Sequence, residues 1–360
     1  MAPTLPVSAE PKALIYDLDL AELEQITAAW DQPAYRARQV WLGLYQKLWN
    51  DPGQFTNLPQ QLRYRLDDAF AFSHLEPRQM LESKDGETRK TLFRLPSGQS
   101  IEAVMMRYDR RRTLCISTQA GCAMGCVFCA TGQMGFRQHL TSGEIVEQVL
   151  YYARQLAAHQ EQVTNVVIMG MGEPFHNYDA TMAAIDRLNH LDGYKFGARR
   201  FTISTVGLVP AIQRFTNEQR QVNLAISLHA ADNELRSSLL PINRKYPLEK
   251  LIQACLDYVE RTGRRITFEW ALIRDVNDTP YQAALLADLL QPFRRGSAAL
   301  CHVNVIPLNP TARYRGKATT REQAALFKSV LETGGIPCTI RVRRGIDIQA
   351  GCGQLAIDAR

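Results

Sequence analysis

From Thr113 onward the chain alternates short apolar, β-branched runs with longer amphipathic ones. The strand-like runs fall at 114–117, 165–169, 200–204, 223–227, 267–273, 302–306 and 336–342. Between them, runs such as 142–157, 178–191, 248–261 and 281–290 repeat apolar residues at the three- and four-residue spacing of a helix. This alternation predicts a parallel sheet with covering helices. Six or seven units are fewer than the eight of a closed TIM barrel. The expected fold class is therefore α/β, a partial (β/α)6-type TIM barrel with its active edge at the strands' C-terminal ends. No internal repeat or low-complexity tract interrupts it.

Two other regions precede this core. Residues from Leu20 to Phe72 have helical spacing, with Pro33 at a helix start and Asp51-Pro52-Gly53 and Leu58-Pro59 at breaks. They predict a small helical domain over 1–75, where Trp41, Tyr45 and Trp49 read as packing residues before base-stacking ones. From 76 to 107 the period falls to two, and Asp85-Gly86 and Pro96-Ser97-Gly98 predict the turns of a β-meander connector. The core then runs over 108–346, followed by a tail at 347–360.

The chain has 360 residues, is 46% hydrophobic and carries a net charge of +6. No apolar run approaches bilayer length. The start, Met1 to Lys12, has no basic-then-apolar signal pattern and reads as a short disordered lead, which points to the cytosol. Eight cysteines without an export signal read as reduced thiols rather than a disulfide framework. Cys255, Cys301 and Cys338 sit in apolar segments and are expected to be buried and inert. The arginines cluster in short groups, among them Arg110-Arg111-Arg112, Arg199-Arg200, Arg264-Arg265 and Arg341-Val-Arg343-Arg344. Any one group reads as solvated surface; several on one rim would make a nucleic-acid footprint.

Cys122, Cys126 and Cys129 form a C-x₃-C-x₂-C triplet just after the first core strand. Three thiolates leave an iron–sulfur cube with one iron free for an outside ligand. Structural zinc takes four protein ligands, and no fourth Cys or His lies at zinc-like spacing. After the next strand, Gly170-Met171-Gly172-Glu173-Pro174 offers a turn that a ligand can approach closely, with Glu173 suited to an ammonium group. Ser204, Ser227-Leu228-His229 and Asn309 stand at further strand ends. Singly each is a loop or capping residue; their common edge favours a binding role. Cys352 lies between two glycines past the last strand, where a thiol has little packing value.

The triplet, with Phe128 before its third cysteine, resembles that of the radical S-adenosylmethionine enzymes. Cys115, the cluster loop, the Gly-Met-Gly-Glu-Pro turn and the Cys352 tail together resemble a narrower family, the RlmN and Cfr RNA adenine methyltransferases. The resemblance covers nearly the whole chain. It implies a [4Fe-4S] cluster on Cys122, Cys126 and Cys129, and two molecules of S-adenosylmethionine per turnover. Gly172 and Glu173 would receive the cofactor's amino end. Ser204, Ser227, Leu228, His229 and Asn309 would hold its ribose, carboxylate and adenine.

The same resemblance implies the reaction. Cys352 carries the methyl group, Cys115 forms a transient disulfide with it, and Glu102 or Cys115 removes the C2 proton of an adenosine. The implied targets are 23S rRNA in the peptidyl-transferase region and the adenosine 3′ of the tRNA anticodon. A low-potential electron donor is required, and a monomer is expected. Two rivals remain open at this point. One is a Cfr-like C8 methyltransferase, which shares the cluster and both outlying cysteines. The other is a non-catalytic iron–sulfur or zinc RNA-binding module.

Overall fold

The computed structural model describes residues 12–296 and 298–355; the expected disordered lead lies largely outside them, as does the end of the tail. Helices α1 (Leu20–Ala29), α2 (Tyr35–Tyr45) and α3 (Gln60–Ala69) form the N-terminal region. Asp19 starts α1 by accepting the Glu22 N–H at 2.8 Å, while the Glu22 carboxylate returns to the Asp19 N–H. This reciprocal cap satisfies two amides that a helix start leaves open. Trp41 and Tyr45 are fully buried, with ring centroids 4.3 Å apart, so they pack rather than stack on bases.

Strands β1 (Glu76–Glu82), β2 (Thr88–Arg94) and β3 (Ser100–Arg107) form the meander. Its turns use Gly86 and Gly98 at φ of 70° and 81°, a region that favours glycine. The meander does more than connect. β3 pairs antiparallel with β4 (Arg112–Cys115), the first strand of the core. Beyond it lie β5 (Asn165–Ile168), β6 (Phe201–Thr205), β7 (Asn223–Ser227), β8 (Ile266–Leu272), β9 (Cys301–Pro307) and β10 (Cys338–Ile340), all parallel. The result is one ten-stranded sheet whose strand order follows chain order.

The other helices are α4 (Ala130–Gln133), α5 (Ser142–Ala157), α6 (Tyr178–Asn189), α7 (Val209–Asn217), α8 (Asn233–Leu239), α9 (Leu248–Thr262), α10 (Pro280–Leu289) and α11 (Arg321–Thr333). Thr141 and Glu144 cap α5 reciprocally, and Val146, Val149, Leu150 and Ala153 bury its apolar stripe. Buried strand runs such as Leu224-Ala225-Ile226 and Phe268, Trp270 and Leu272 form the core beneath the helices. Cys255, Cys301 and Cys338 are buried there, as expected. Among the described residues no helix is long and apolar enough to cross a membrane.

After β10 the chain crosses back to the meander. Arg344 pairs with Glu87, the Lys84 N–H donates to Asp347 at 2.9 Å, and the Lys90 ammonium donates to the Gln349 carbonyl at 3.2 Å. Beyond these anchors the tail meets the cluster loop. The Ala130 N–H donates to the Gly353 carbonyl at 2.8 Å, and the Thr131 hydroxyl to the Leu355 carbonyl at 2.6 Å.

Candidate active site

The cluster loop is shaped by close backbone approach. Gly121 takes φ of 71°, and a Cβ there would lie 1.9 Å from the Gly135 carbonyl oxygen. That oxygen accepts the Cys122 N–H at 3.1 Å, and the Cys126 carbonyl accepts the Cys129 N–H at 3.1 Å. Phe128 packs edge-on to His229, with ring centroids 5.0 Å apart. Cys122, Cys126 and Cys129 all line one cavity at the C-terminal ends of the strands. Burial raises the Cys122 and Cys126 thiols, and mutual repulsion of the three sulfurs adds to it. A bound cation reverses that balance and keeps thiolates charged. Three thiols around a cavity fit a cube, in which each binds a different iron.

The Gly170–Pro174 turn forms the next wall. Gly172 has φ of 100° and sits against Gln119, with no room for a Cβ. Gln119 in turn accepts the Glu173 N–H at 2.8 Å. The Glu173 carboxylate accepts the N–H groups of Phe175 at 3.0 Å and Val206 at 2.9 Å. Burial nevertheless raises its pKa to about 7, since desolvation outweighs those bonds. An ammonium group in this cavity would restore the charged form.

Ser204, Ser227, His229 and Asn309 line the same cavity. The two serine hydroxyls are 3.2 Å apart. His229 stands at φ of 61°, and its Nδ1 accepts the Ala271 N–H at 2.9 Å. The proton of the neutral ring is therefore on Nε2. Burial, with Arg236 nearby, lowers the His229 pKa to about 3, so the ring stays neutral. Leu228 does not line the cavity; its side chain is buried. Its backbone bonds Glu269 and Arg236, which shapes the turn between its two neighbours.

Cys352 lines this cavity as well, held where the Asn309 amide donates to its carbonyl at 3.0 Å. A second cavity, of about 570 Å³, lies on its other side and is lined by Cys115, Cys129 and Cys352 together. Cys115 is buried at the end of β4, whereas Cys352 is solvent-accessible through the cavity. Burial raises the Cys115 thiol, and the Arg341 guanidinium opposes this.

Glu102 stands apart from both cavities. Its carboxylate meets the Lys90 ammonium at 2.9 Å, and its carbonyl accepts the Ser117 hydroxyl at 2.6 Å. Two residues escape sequence reasoning. Buried Arg236 donates to the Leu228, Val206 and Asn243 oxygens, tying together the loops that carry Ser227 and His229. Glu269 lines the first cavity from the middle of β8, with one carboxylate oxygen bonded to Asn304 at 2.9 Å and the other unbonded among the described residues. A lone carboxylate in the apolar run Phe268-Glu269-Trp270 was the available signal.

An open parallel barrel with a three-cysteine loop over its active edge is the architecture of the radical SAM superfamily, whose sequence profile matches residues 116–286. A second profile, the ribosomal RNA large subunit methyltransferase N-terminal domain, matches residues 14–71. A probable dual-specificity RNA methyltransferase RlmN of Chloroflexus aurantiacus is 47% identical, over 95% of this chain and 92% of that one. The dual-specificity RNA methyltransferase RlmN 1 of Myxococcus xanthus is also 47% identical, over 96% and 95%. The crystal structure of a radical SAM methyltransferase from Sphaerobacter thermophilus superposes with a TM-score of 0.92 at 50% identity, covering 95% of this chain and 99% of that one. The chain belongs to the RlmN family of radical SAM methyltransferases. The family uses a [4Fe-4S] cluster and S-adenosylmethionine, and the cavity's thiols, glycine turn and polar strand ends fit both.

Proposed function

We propose that this protein methylates C2 of an adenosine in 23S rRNA, in the peptidyl-transferase region, and of the adenosine 3′ of the tRNA anticodon. The observation that carries the reading is the single cavity shared by Cys115, Cys352 and the cluster-loop Cys129. Relatives of nearly equal length named as dual-specificity RNA methyltransferases support two RNA substrates.

Cys122, Cys126 and Cys129 would hold the cluster. Gly172 and Glu173 would bind the cofactor's amino end, and Ser204, Ser227, Leu228, His229 and Asn309 the remainder. When bound, the cluster supplies the electron that cleaves S-adenosylmethionine and so provides a radical able to remove a hydrogen atom. Adenine C2 is electron-poor and cannot displace a methyl group from a sulfonium, so the methyl must travel on the protein.

Cys352, as thiolate, takes that methyl from one S-adenosylmethionine. A hydrogen atom is then removed from the S-methyl group at the expense of a second cofactor molecule. The carbon joins C2, which tethers RNA to protein. A base, Glu102 or Cys115, then removes the C2 proton, and the unpaired electron left on the ring passes back to the redox partner that supplied the first. The Cys115 thiolate attacks the Cys352 sulfur, breaking its bond to the transferred carbon. That carbon leaves with the electron pair and a proton, and a disulfide remains for external reduction. The reading makes the protein a cytosolic monomer served by a low-potential electron donor. Extruding the adenosine from its stack exposes C2.

Mass spectrometry of nucleosides from treated 23S rRNA and tRNA tests this. We expect 2-methyladenosine in both; 8-methyladenosine alone would overturn the C2 assignment. Cys352→Ala should cleave cofactor yet carry no S-methylcysteine and methylate nothing. Cys115→Ala should accumulate the covalent protein–RNA adduct, visible as a shifted band. Methylation by Cys352→Ala would refute the methyl-carrier role.

A further inference from the structure

The arginine clusters of the sequence meet different ends. Arg112 is held by Glu161 at 2.6 Å, Arg214 by Asp179 at 2.7 Å and Arg220 by Asp186 at 2.6 Å. Three other clusters converge. Arg199, Arg264, Arg265 and Arg341 line a cavity of about 800 Å³. It opens where β6, β7 and β8 begin, since Thr202, Asn223 and Thr267 also line it. Thr202, Asn304 and Arg341 also line the cavity of Cys115 and Cys352, so the two cavities adjoin.

No Asp or Glu lines this cavity among the described residues. The guanidinia rest on neutral oxygens instead. The Gln221 carbonyl accepts from Arg199 at 3.2 Å and from Arg264 at 3.1 Å, and the Asn223 carbonyl accepts from Arg264 at 2.8 Å. Arg341 alone has a carboxylate partner, Glu269 at 3.3 Å, which faces the catalytic cavity. The Arg265 guanidinium has no partner among the described residues. A bland account is that these arginines offset the C-terminus of α9, which ends beside them at Thr262. A helix terminus carries only about half a negative charge, against the three guanidinia that no carboxylate pairs among the described residues. Charge of one sign gathered without a counter-charge is the footprint of an anion site.

We propose that this cavity binds backbone phosphates of the RNA substrate that flank the reacting adenosine. Guanidinium forks match phosphate geometry in pairs of hydrogen bonds. Arg199 and Arg265 are exposed and spread along a rim, which suits consecutive phosphates of a polyanion better than one enclosed phosphate. Because this cavity adjoins the cavity of Cys115 and Cys352, a hairpin that presents its adenosine there reaches it too. The inference rests on RNA being the substrate.

The test uses the full chain and two RNAs, an intact tRNA and its anticodon hairpin, across a salt series. In Arg199→Gln/Arg264→Gln/Arg265→Gln the slope of log affinity against log salt for intact tRNA should fall by about two to three. The hairpin slope should fall likewise, and cofactor cleavage without RNA should stay unchanged. Arg265→Glu, which removes no internal bond, should lower the tRNA slope by at least about one. An unchanged slope on either RNA would overturn the proposal. So would tight pyrophosphate binding with an unchanged tRNA slope, which would make this a free-phosphate site. Failure of the underlying reading looks different: neither RNA would be methylated by the unaltered protein.

Discussion

Lys90 and Glu102 form an ion pair at 2.9 Å across neighbouring strands of the meander, with both side chains more than nine-tenths buried. The same ammonium donates to the carbonyl of Gln349, three residues before Cys352. One buried lysine thus ties the proposed proton acceptor to the segment that carries the thiol proposed to bear the methyl group.

Removing one partner of a buried pair leaves a charge without compensation. Lys90→Met should lose about 3 kcal/mol of stability in urea titration, and methylation should fall with it because the tail loses an anchor. Lys90→Arg should recover much of both. Glu102→Gln separates structure from chemistry: a variant that methylates at the normal rate would leave Cys115 as the acceptor.

The backbone at Gly121 allows a second prediction. Gly121→Ala adds about 1–2 kcal/mol of left-handed strain, besides a collision with the Gly135 carbonyl. The cluster loop should then bind less iron after reconstitution. Gly98→Ala is the matched control. It has φ of 81° with nothing within 4 Å of the new Cβ, so it should carry similar strain yet load iron normally.

His229 gives a pH dependence. Its folded pKa is about 3, against 6.5 for the free side chain. Below pH 6.5 the unfolded chain binds a proton that the folded one refuses, so stability falls as pH falls. The loss should amount to about 2 kcal/mol between neutrality and pH 5. Denaturant titrations at the two pH values should show it in the parent protein, and His229→Gln should lack this component.

Local pattern made much of the molecule legible beforehand. The helix at Ser142–Ala157 and the strand at Asn223–Ser227 have the bounds their periodicity implies. The cluster loop and the Gly170–Pro174 turn were readable because spacing within a few residues determines them. What escaped depends on register between distant segments. Glu102 reads as an ordinary strand carboxylate until β2 lays Lys90 beside it. Arg236 becomes a brace only when three loops fold over its guanidinium. The meander's fusion to the barrel sheet likewise depends on β3 meeting β4, which no turn signal encodes.

Because the ten strands lie in chain order, a nascent polypeptide can build this sheet one edge at a time, each new strand adding to the one just made. Cys115 is emplaced early, on the first parallel strand, and Cys352 arrives after the last. Truncated or stalled chains would thus have the proposed cluster loop without the thiol proposed to carry the methyl group. Assembly order itself withholds the second half of the proposed chemistry until every strand of the sheet has been made.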